Sequence, residues 1–195
     1  MLDENLQMAM NNKLIQENFI RKQLEFRLIN DSNCDGCQKK AFKFAGIINH
    51  LSINIPNPDE QYTSLKQCIE KTIDQEMFSG LCSACYSKNK HSRWVNKPES
   101  LLIMINRVQQ VEFALFKIKT KVYLSDIITV NLRRYWLSVI ICHEGDMTDY
   151  GHWVAYVKKD KDTYFKCSDN IVSITTDKSF LKSSESVIVL YNSAL

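Results

Sequence analysis

The sequence lacks any run of 18 apolar residues, so it predicts no membrane-spanning helix. Its first ten residues, MLDENLQMAM, carry acidic side chains and lack the apolar segment of a secretory signal. The net charge of +3 is small for 195 residues, and no concentrated basic stripe occurs. A nucleic-acid partner is therefore not predicted. We expect a cytoplasmic protein.

The composition is that of a globular protein, with 45% hydrophobic and 24% charged residues. A chain of 195 residues can form one sizeable domain or two small ones. No Gly or Pro interrupts residues 1–30, where apolar residues recur at helical spacing, so we predict a helix there.

Seven cysteines without a secretory signal favour reduced thiols and metal binding over disulfides. Four of them form two CxxC pairs, Cys34/Cys37 and Cys82/Cys85, separated by 44 residues. Two such pairs can place four thiolates tetrahedrally around one structural zinc ion. The alternative is a relic ribbon that has kept its cysteines without binding metal.

Several segments between and after these pairs have strand or helix patterns. Strands are predicted at Phe42–Ile48, Leu51–Ile55, 98–107 and Tyr135–Cys142. Ser64 is placed to cap a helix over Leu65–Glu76.

A histidine opens the next predicted strand. His152 follows Gly151, and the return strand that begins at Tyr164 ends at Ser168-Asp169-Asn170. A hairpin would bring this polar corner beside the histidine, which is the base-plus-orienter half of a nucleophilic site. The alternative is a packed histidine next to an ordinary turn.

The runs HEGDMTDYGHWVAY (residues 143–156) and SESVIVLY (residues 184–191) resemble the histidine box of ubiquitin-specific proteases. The order of cysteine pair, strands, helix and cysteine pair is similar to the fingers of that family. The resemblance implies an α+β fold, with a papain-superfamily palm built on an antiparallel β-sheet and a zinc-ribbon fingers subdomain. It divides the chain into a helical thumb remnant (1–31), fingers (32–97) and palm (98–195), with most of the thumb absent.

In family terms His152 is the general base, Ser168 the third triad residue and Asp169 its supporting acid. Ser168 would accept a hydrogen bond from the imidazole Nδ1–H, and Asp169 would supply negative charge. The Ser-Asp pair and the His-x-Gly-Asp-Met run resemble the mitochondrial outer-membrane member of the family. For this chain, association with that membrane would need a segment preceding residue 1.

The family's nucleophile lies in a Gly-Asn-Thr-Cys box before the fingers, and no such box precedes Cys34. Cys68, Cys142 and Cys167 lie in helix or strand contexts that favour buried, unreactive thiols. One hypothesis is the C-terminal part of a deubiquitinating cysteine protease that is inactive alone and completed by a separate Cys-box polypeptide. The other is a non-catalytic ubiquitin-binding or scaffold module. A zinc ribbon that binds nucleic acid is a third, weaker interpretation. In the first two hypotheses the partner is ubiquitin or a ubiquitinated protein.

Overall fold

Short strands dominate the structure, as expected where alternating apolar residues are bounded by polar turns. The computed structural model describes residues 23–34, 36–37, 40–75, 80–81, 84–89, 92–94 and 97–193. The elements of the first half are, in chain order, β1 (Phe26–Asn33), β2 (Lys40–Ile48), β3 (Leu51–Asn54), β4 (Tyr62–Ser64), α1 (Leu65–Gln75), β5 (Gly80–Leu81), β6 (Lys88–Asn89) and β7 (Ser92–Trp94).

The second half consists almost entirely of strands and tight turns. Its elements are β8 (Ser100–Asn106), β9 (Val108–Val111), β10 (Ala114–Lys117), β11 (Lys121–Tyr123), β12 (Ile127–Val130), β13 (Arg133–Glu144), β14 (His152–Lys158), β15 (Tyr164–Ser168), β16 (Ile171–Thr175), a 3-10 helix (Ser179–Leu181), β17 (Lys182–Ser183) and β18 (Ser186–Ser193).

An eight-stranded sheet carries the core. Its order is β16-β15-β14-β13-β18-β8-β3, with β12 also paired to β13. Every pair is antiparallel except β3 with β8, which is parallel. The strand that contains Tyr135 pairs with the strand that begins at His152. The predicted α+β class with an antiparallel palm-type sheet is confirmed.

The buried side chains alternate along these strands, so one face of the sheet holds most of the apolar core. Its largest side chains with less than 2% exposure are Leu51, Ile53, Leu65, Leu101, Ile103, Ile105, Val122, Tyr135, Ile140, Tyr164 and Tyr191.

A buried arginine, Arg107, follows β8 and holds several segments together. Its guanidinium donates to the carbonyls of Ile118, Thr120, Ser183 and Ser186 and to the Ser186 hydroxyl. Burial lowers the pKa of Arg107 to about 10, so the side chain stays charged at neutral pH.

The helix predicted over residues 1–30 is wrong for its last part. Residues 23 and 24 are helical, but Phe26–Asn33 is strand β1, and residues 1–22 lie outside the described part. β1 pairs with β2 along eight register positions and with β7 on its other side. Pairing with two neighbours supplies hydrogen bonds that outweigh the helical spacing of its apolar residues. β1 crosses the proposed boundary between residues 31 and 32, and the three-part division stays a prediction.

Helix α1 (Leu65–Gln75) confirms the helix predicted after Ser64. Ser64 Oγ accepts the backbone N–H of Gln67 at 3.2 Å, and Gln67 Oε1 accepts the backbone N–H of Ser64 at 3.0 Å. This reciprocal pair is a capping box. Within the described residues no helix is long and apolar enough to cross a membrane.

Candidate functional site

The hairpin of β14 and β15 brings the predicted catalytic residues together. Val154 lies directly opposite Ser168, and His152 is two residues before Val154 on the same strand. Side chains two apart on a strand share a face, and so do directly opposite pairs, so His152 and Ser168 face the same side. Asp169 begins the turn into β16 with a φ of 50°, a left-handed conformation that Asp tolerates better than most residues.

The imidazole of His152 is in hydrogen-bond contact with Ser168. His152 Nε2 lies 2.6 Å from Ser168 Oγ and 3.9 Å from Asp169 Oδ2. The contact uses Nε2, so the expectation that Ser168 accepts from Nδ1–H is wrong. Ser168 lies on the neighbouring strand, at the Nε2 edge of the ring. When Nε2 carries the hydrogen and donates it to Ser168, Nδ1 is the nitrogen that can take up a proton. The side chain of Asp169 is 80% exposed, so its attraction for an imidazolium is screened by water.

The connection of residues 145–151, which leads into His152, packs closely against the end of β13. A Cβ added at Gly151 would lie 2.3 Å from the Glu144 carbonyl oxygen and 2.4 Å from His143 Nε2. Only glycine fits this close approach. The buried His143 ring packs against Trp153, with ring centroids 4.6 Å apart and the ring planes tilted by 35°. Packing on both sides of His152 therefore limits where β14 can begin.

Two lysines that no sequence motif marks, Lys117 and Lys119, bind the same connection. Lys117 Nζ donates to the carbonyls of His143 and Gly145 and to the Glu185 carboxylate. Lys119 Nζ forms an ion pair with Asp146 at 2.6 Å, which lowers the pKa of that carboxyl group. The partners of Lys117 lie 26, 28 and 68 residues away, so no local sequence pattern marks the contact.

Three of the four predicted metal ligands lie together. The sulfur atoms of Cys34, Cys37 and Cys85 are all within 4.8 Å of one another, and this cluster could hold a metal ion. Hydrogen bonding with the Ser87 hydroxyl and with Cys34 lowers the pKa of the Cys85 thiol to about 6. Its thiolate, the form that binds metals, is therefore favoured at neutral pH. The fourth predicted ligand, Cys82, lies outside the described residues.

Gly36 allows Cys34 and Cys37 to lie close to Cys85. A Cβ at this position would lie 2.3 Å from Ser87 Oγ and 3.1 Å from Cys85 Sγ. A side chain here would separate the segment containing Cys34 and Cys37 from the segment containing Cys85.

The other cysteines differ in exposure and direction. Cys68 and Cys142 are buried, and burial raises the pKa of both thiols, that of Cys142 to about 12. Cys167 pairs with Ala155, one residue out of phase with the Val154–Ser168 pair. Its side chain therefore faces the side of the sheet opposite His152 and Ser168.

A histidine within hydrogen-bond distance of a polar orienting group is the base-plus-orienter part of a nucleophilic site. The family model described as ubiquitin carboxyl-terminal hydrolase (UCH) matches residues 1–191. The chain belongs to this family.

Two curated relatives are similar over part of the chain. Ubiquitin carboxyl-terminal hydrolase 10 of Saccharomyces cerevisiae is 24% identical over 133 residues, covering 61% of this chain and 16% of the yeast protein. Ubiquitin carboxyl-terminal hydrolase nonstop of Drosophila melanogaster is 36% identical over 59 residues, covering 30% of this chain and 12% of the fly protein. The chain thus spans a small fraction of the length of either relative.

Solved structures share the fold. A SAGA DUB module of Ubp8, Sgf11, Sus1 and Sgf73 bound to monoubiquitin matches with a TM-score of 0.75 and 19% identity, covering 90% of this chain and 42% of that chain. The same type of module bound to ubiquitin aldehyde matches with a TM-score of 0.74 and 18% identity, covering 98% of this chain and 49% of that chain. Resemblance to the mitochondrial outer-membrane member stays a prediction.

Proposed function

We propose that this chain provides the general-base half of a thiol-dependent deubiquitinase, which hydrolyses isopeptide bonds at the ubiquitin C-terminus. The observation that carries the proposal is the contact of 2.6 Å between His152 Nε2 and Ser168 Oγ in a chain of the ubiquitin carboxyl-terminal hydrolase family. Ser168 holds the ring by Nε2, and Nδ1 accepts the proton of an attacking thiol. Asp169 adds negative charge close to the ring.

Ubiquitin is the proposed partner, since two solved structures of similar fold contain it or its aldehyde. In this proposal the palm sheet and the fingers contact the globular part of ubiquitin. With only part of a full-length relative present, we expect weak binding, with a Kd of tens to hundreds of micromolar, or about 5–6 kcal/mol.

Outside the cluster of Cys34, Cys37 and Cys85, none of the described cysteines has the properties of the nucleophile. Cys142 shares the face of His152 and borders a pocket of about 260 Å³, but it is 2% exposed and burial holds its pKa near 12. Cys167 faces away from His152, and Cys68 is buried in α1. We therefore propose that the attacking thiolate comes from a Cys-box polypeptide outside residues 1–195, and that these residues alone do not cleave conjugates.

A ubiquitin derivative with a C-terminal electrophile tests this assignment. We expect no labelling of the chain alone, and labelling of an added Cys-box polypeptide that requires the chain and is abolished by His152→Ala. His50→Ala is the matched control, because His50 contacts Asn49 and lies outside the corner, and it should keep the activity.

Other results of this labelling experiment, combined with an NMR titration of ubiquitin, would contradict part of the proposal. Labelling of the chain alone that is lost in Cys142→Ala or Cys167→Ala would place the nucleophile within these residues. Ubiquitin binding, seen by NMR titration, without labelling in any mixture would instead favour a non-catalytic ubiquitin-binding module. Absence of NMR perturbation at millimolar protein would reject both functions.

We also propose that Cys34, Cys37, Cys82 and Cys85 hold one structural zinc ion. Four thiolates about 2.3 Å from zinc stand roughly 3.8 Å apart in a tetrahedron, a separation compatible with the three described sulfurs. Four protein ligands leave no open position, so the ion stabilises the fingers and takes no part in hydrolysis.

Elemental analysis of reduced, zinc-replete protein should give one zinc ion per chain. Cys34→Ser and Cys82→Ser should both lose the metal and lower the unfolding temperature, since metal binding contributes directly to folding. Cys167→Ser is the control, because Cys167 lies on β15, and it should keep the zinc. Absence of zinc in the unmodified protein would rule the site out.

A further inference from the structure

Lys117, at the end of β10, is buried, and all three N–H donors of its ammonium group form hydrogen bonds. Its side chain is 2% exposed. Nζ donates to His143 O at 2.5 Å, to Gly145 O at 2.6 Å and to Glu185 Oε2 at 2.6 Å. An ammonium group has three donors, and here each meets an acceptor, two of them backbone carbonyls. A buried cation in this setting holds its partners firmly, because a lost contact would leave a charge unsatisfied.

Two of the acceptors lie at the start of the connection to the catalytic corner, and the third lies just before β18. His143 lies near the end of β13, and Gly145 begins the 145–151 loop that ends at His152. Glu185, which precedes β18, accepts the Lys117 ammonium and also receives the His143 backbone N–H through its carbonyl, at 2.9 Å. One buried lysine thus fixes the first residues of the loop to β10 and to the segment that precedes β18.

The far end of the loop returns to the same place. Gly151 is packed so closely against the Glu144 carbonyl and the His143 ring that no Cβ fits between them. Glu144 also pairs with His152 across β13 and β14. A shift of His143, Glu144 or Gly145 would therefore be transmitted to Gly151 and to the residue after it.

We infer that Lys117 is a positioning residue for His152: it anchors the 145–151 loop and so keeps the imidazole within reach of Ser168. The inference rests on the proposed function, because it concerns the same corner. Lys117 contacts the loop backbone and Glu185, so it acts through the loop and takes no part in the reaction itself.

Lys119 also contacts the 145–151 loop and serves as a matched control for Lys117. Its side chain is 46% exposed, and its contacts are the Asp146 carboxylate and, at 3.3 Å, the Gly145 carbonyl. An exposed ion pair contributes little to the stability of a backbone conformation. Removing the Lys119 ammonium should leave the loop in place.

The test measures the contact between His152 and Ser168 in the full 195-residue chain. In the unmodified protein, Ser168→Ala should shift the NMR signals of the His152 ring nitrogens, because it removes the partner of Nε2. In the Lys117→Met background the same Ser168→Ala change should leave those signals nearly unmoved, since the contact is already lost. In the Lys119→Met background the shift should keep its original size.

A purely structural role for Lys117 gives a different result. It would lower the unfolding temperature of Lys117→Met while the folded protein kept the full response to Ser168→Ala, and that result would overturn the inference. If Lys117→Met does not fold, Gly145→Ala is the second variant. Gly145 has a φ of +121°, so alanine there strains the backbone whose carbonyl Lys117 binds, while Lys117 and Glu185 remain. A full Ser168→Ala response in Gly145→Ala would also overturn it.

Ubiquitin binding, measured separately on the same variants, distinguishes this inference from the proposed function. A chain that fails to bind ubiquitin but still needs Lys117 for the His152–Ser168 contact contradicts only the proposed function. A chain that binds ubiquitin and keeps that contact in Lys117→Met contradicts only the role of Lys117.

Discussion

Arg107 illustrates how one side chain can join segments that are far apart in the sequence. It is the last residue of the strand predicted over residues 98–107. In the structure its guanidinium donates hydrogen bonds to residues 118 and 120, which are 11 and 13 residues away, and to residues 183 and 186, which are 76 and 79 residues away. A planar group with five donors can satisfy all these acceptors, whereas a lysine ammonium has only three donors.

Arg107→Met should therefore lower the free energy of unfolding by about 3 kcal/mol or more, because several buried carbonyls lose their partner. Arg107→Lys should recover only part of this loss. Urea unfolding followed by circular dichroism gives the comparison. Arg134→Met is the control, since Arg134 is exposed on β13, and it should change stability by at most about 0.5 kcal/mol. Equal stabilities for Arg107→Met and Arg134→Met would show that the buried network contributes little.

At the scale of single elements, α1 begins where its sequence predicts. The capping box of Ser64 and Gln67 satisfies two backbone donors that the first turn leaves free, and this depends only on residues three apart. β1 shows the opposite case. Its apolar spacing suits a helix, but pairing with β2 and β7 decides its conformation.

Ser64→Ala should destabilise the protein by about 1 kcal/mol, because the N–H of Gln67 loses its acceptor. Ser64→Asp, which keeps an acceptor at the helix start, should be close to the unmodified protein in stability. Thermal unfolding of the three proteins side by side provides the measurement. If alanine and aspartate have the same effect, the cap does not contribute to the stability of α1.

Across the whole molecule, four buried tyrosines should make the folded state less stable at alkaline pH. Burial raises the pKa of Tyr135, Tyr156, Tyr164 and Tyr191, to about 12 for Tyr156 and Tyr164. The ordinary tyrosine pKa is about 10. A pKa raised in the folded state means that the unfolded chain holds fewer protons between these values, so stability falls as pH rises through this range.

We expect full stability below about pH 10 and cooperative unfolding as the pH approaches about 12. The chain has 8 tyrosines, so the exposed ones should ionise first and the buried ones together with the loss of structure. Tyrosinate absorbance and far-ultraviolet circular dichroism, recorded in one titration, test this. A single smooth ionisation of all tyrosines near pH 10 with unchanged circular dichroism would contradict it.

Features that depend on local spacing could be predicted from the sequence alone. The palm strands, the α1 cap and the polar corner at Ser168-Asp169 follow from period-two alternation, capping chemistry and turn residues. His152 and Ser168 could be linked beforehand because a single hairpin joins them. The cysteine pairs could be identified because the two members of each pair lie only three residues apart.

Tertiary structure decided what depends on partners distant in sequence. It made residues 26–30 a strand, turned the Nε2 side of the His152 ring toward Ser168, and gathered the carbonyls around Arg107 and Lys117. The physical reason is that a buried charge or an extended backbone is stable only when its hydrogen-bonding partners are present. Those partners are brought together only when the whole sheet folds, so they cannot be predicted from the residues adjacent in sequence.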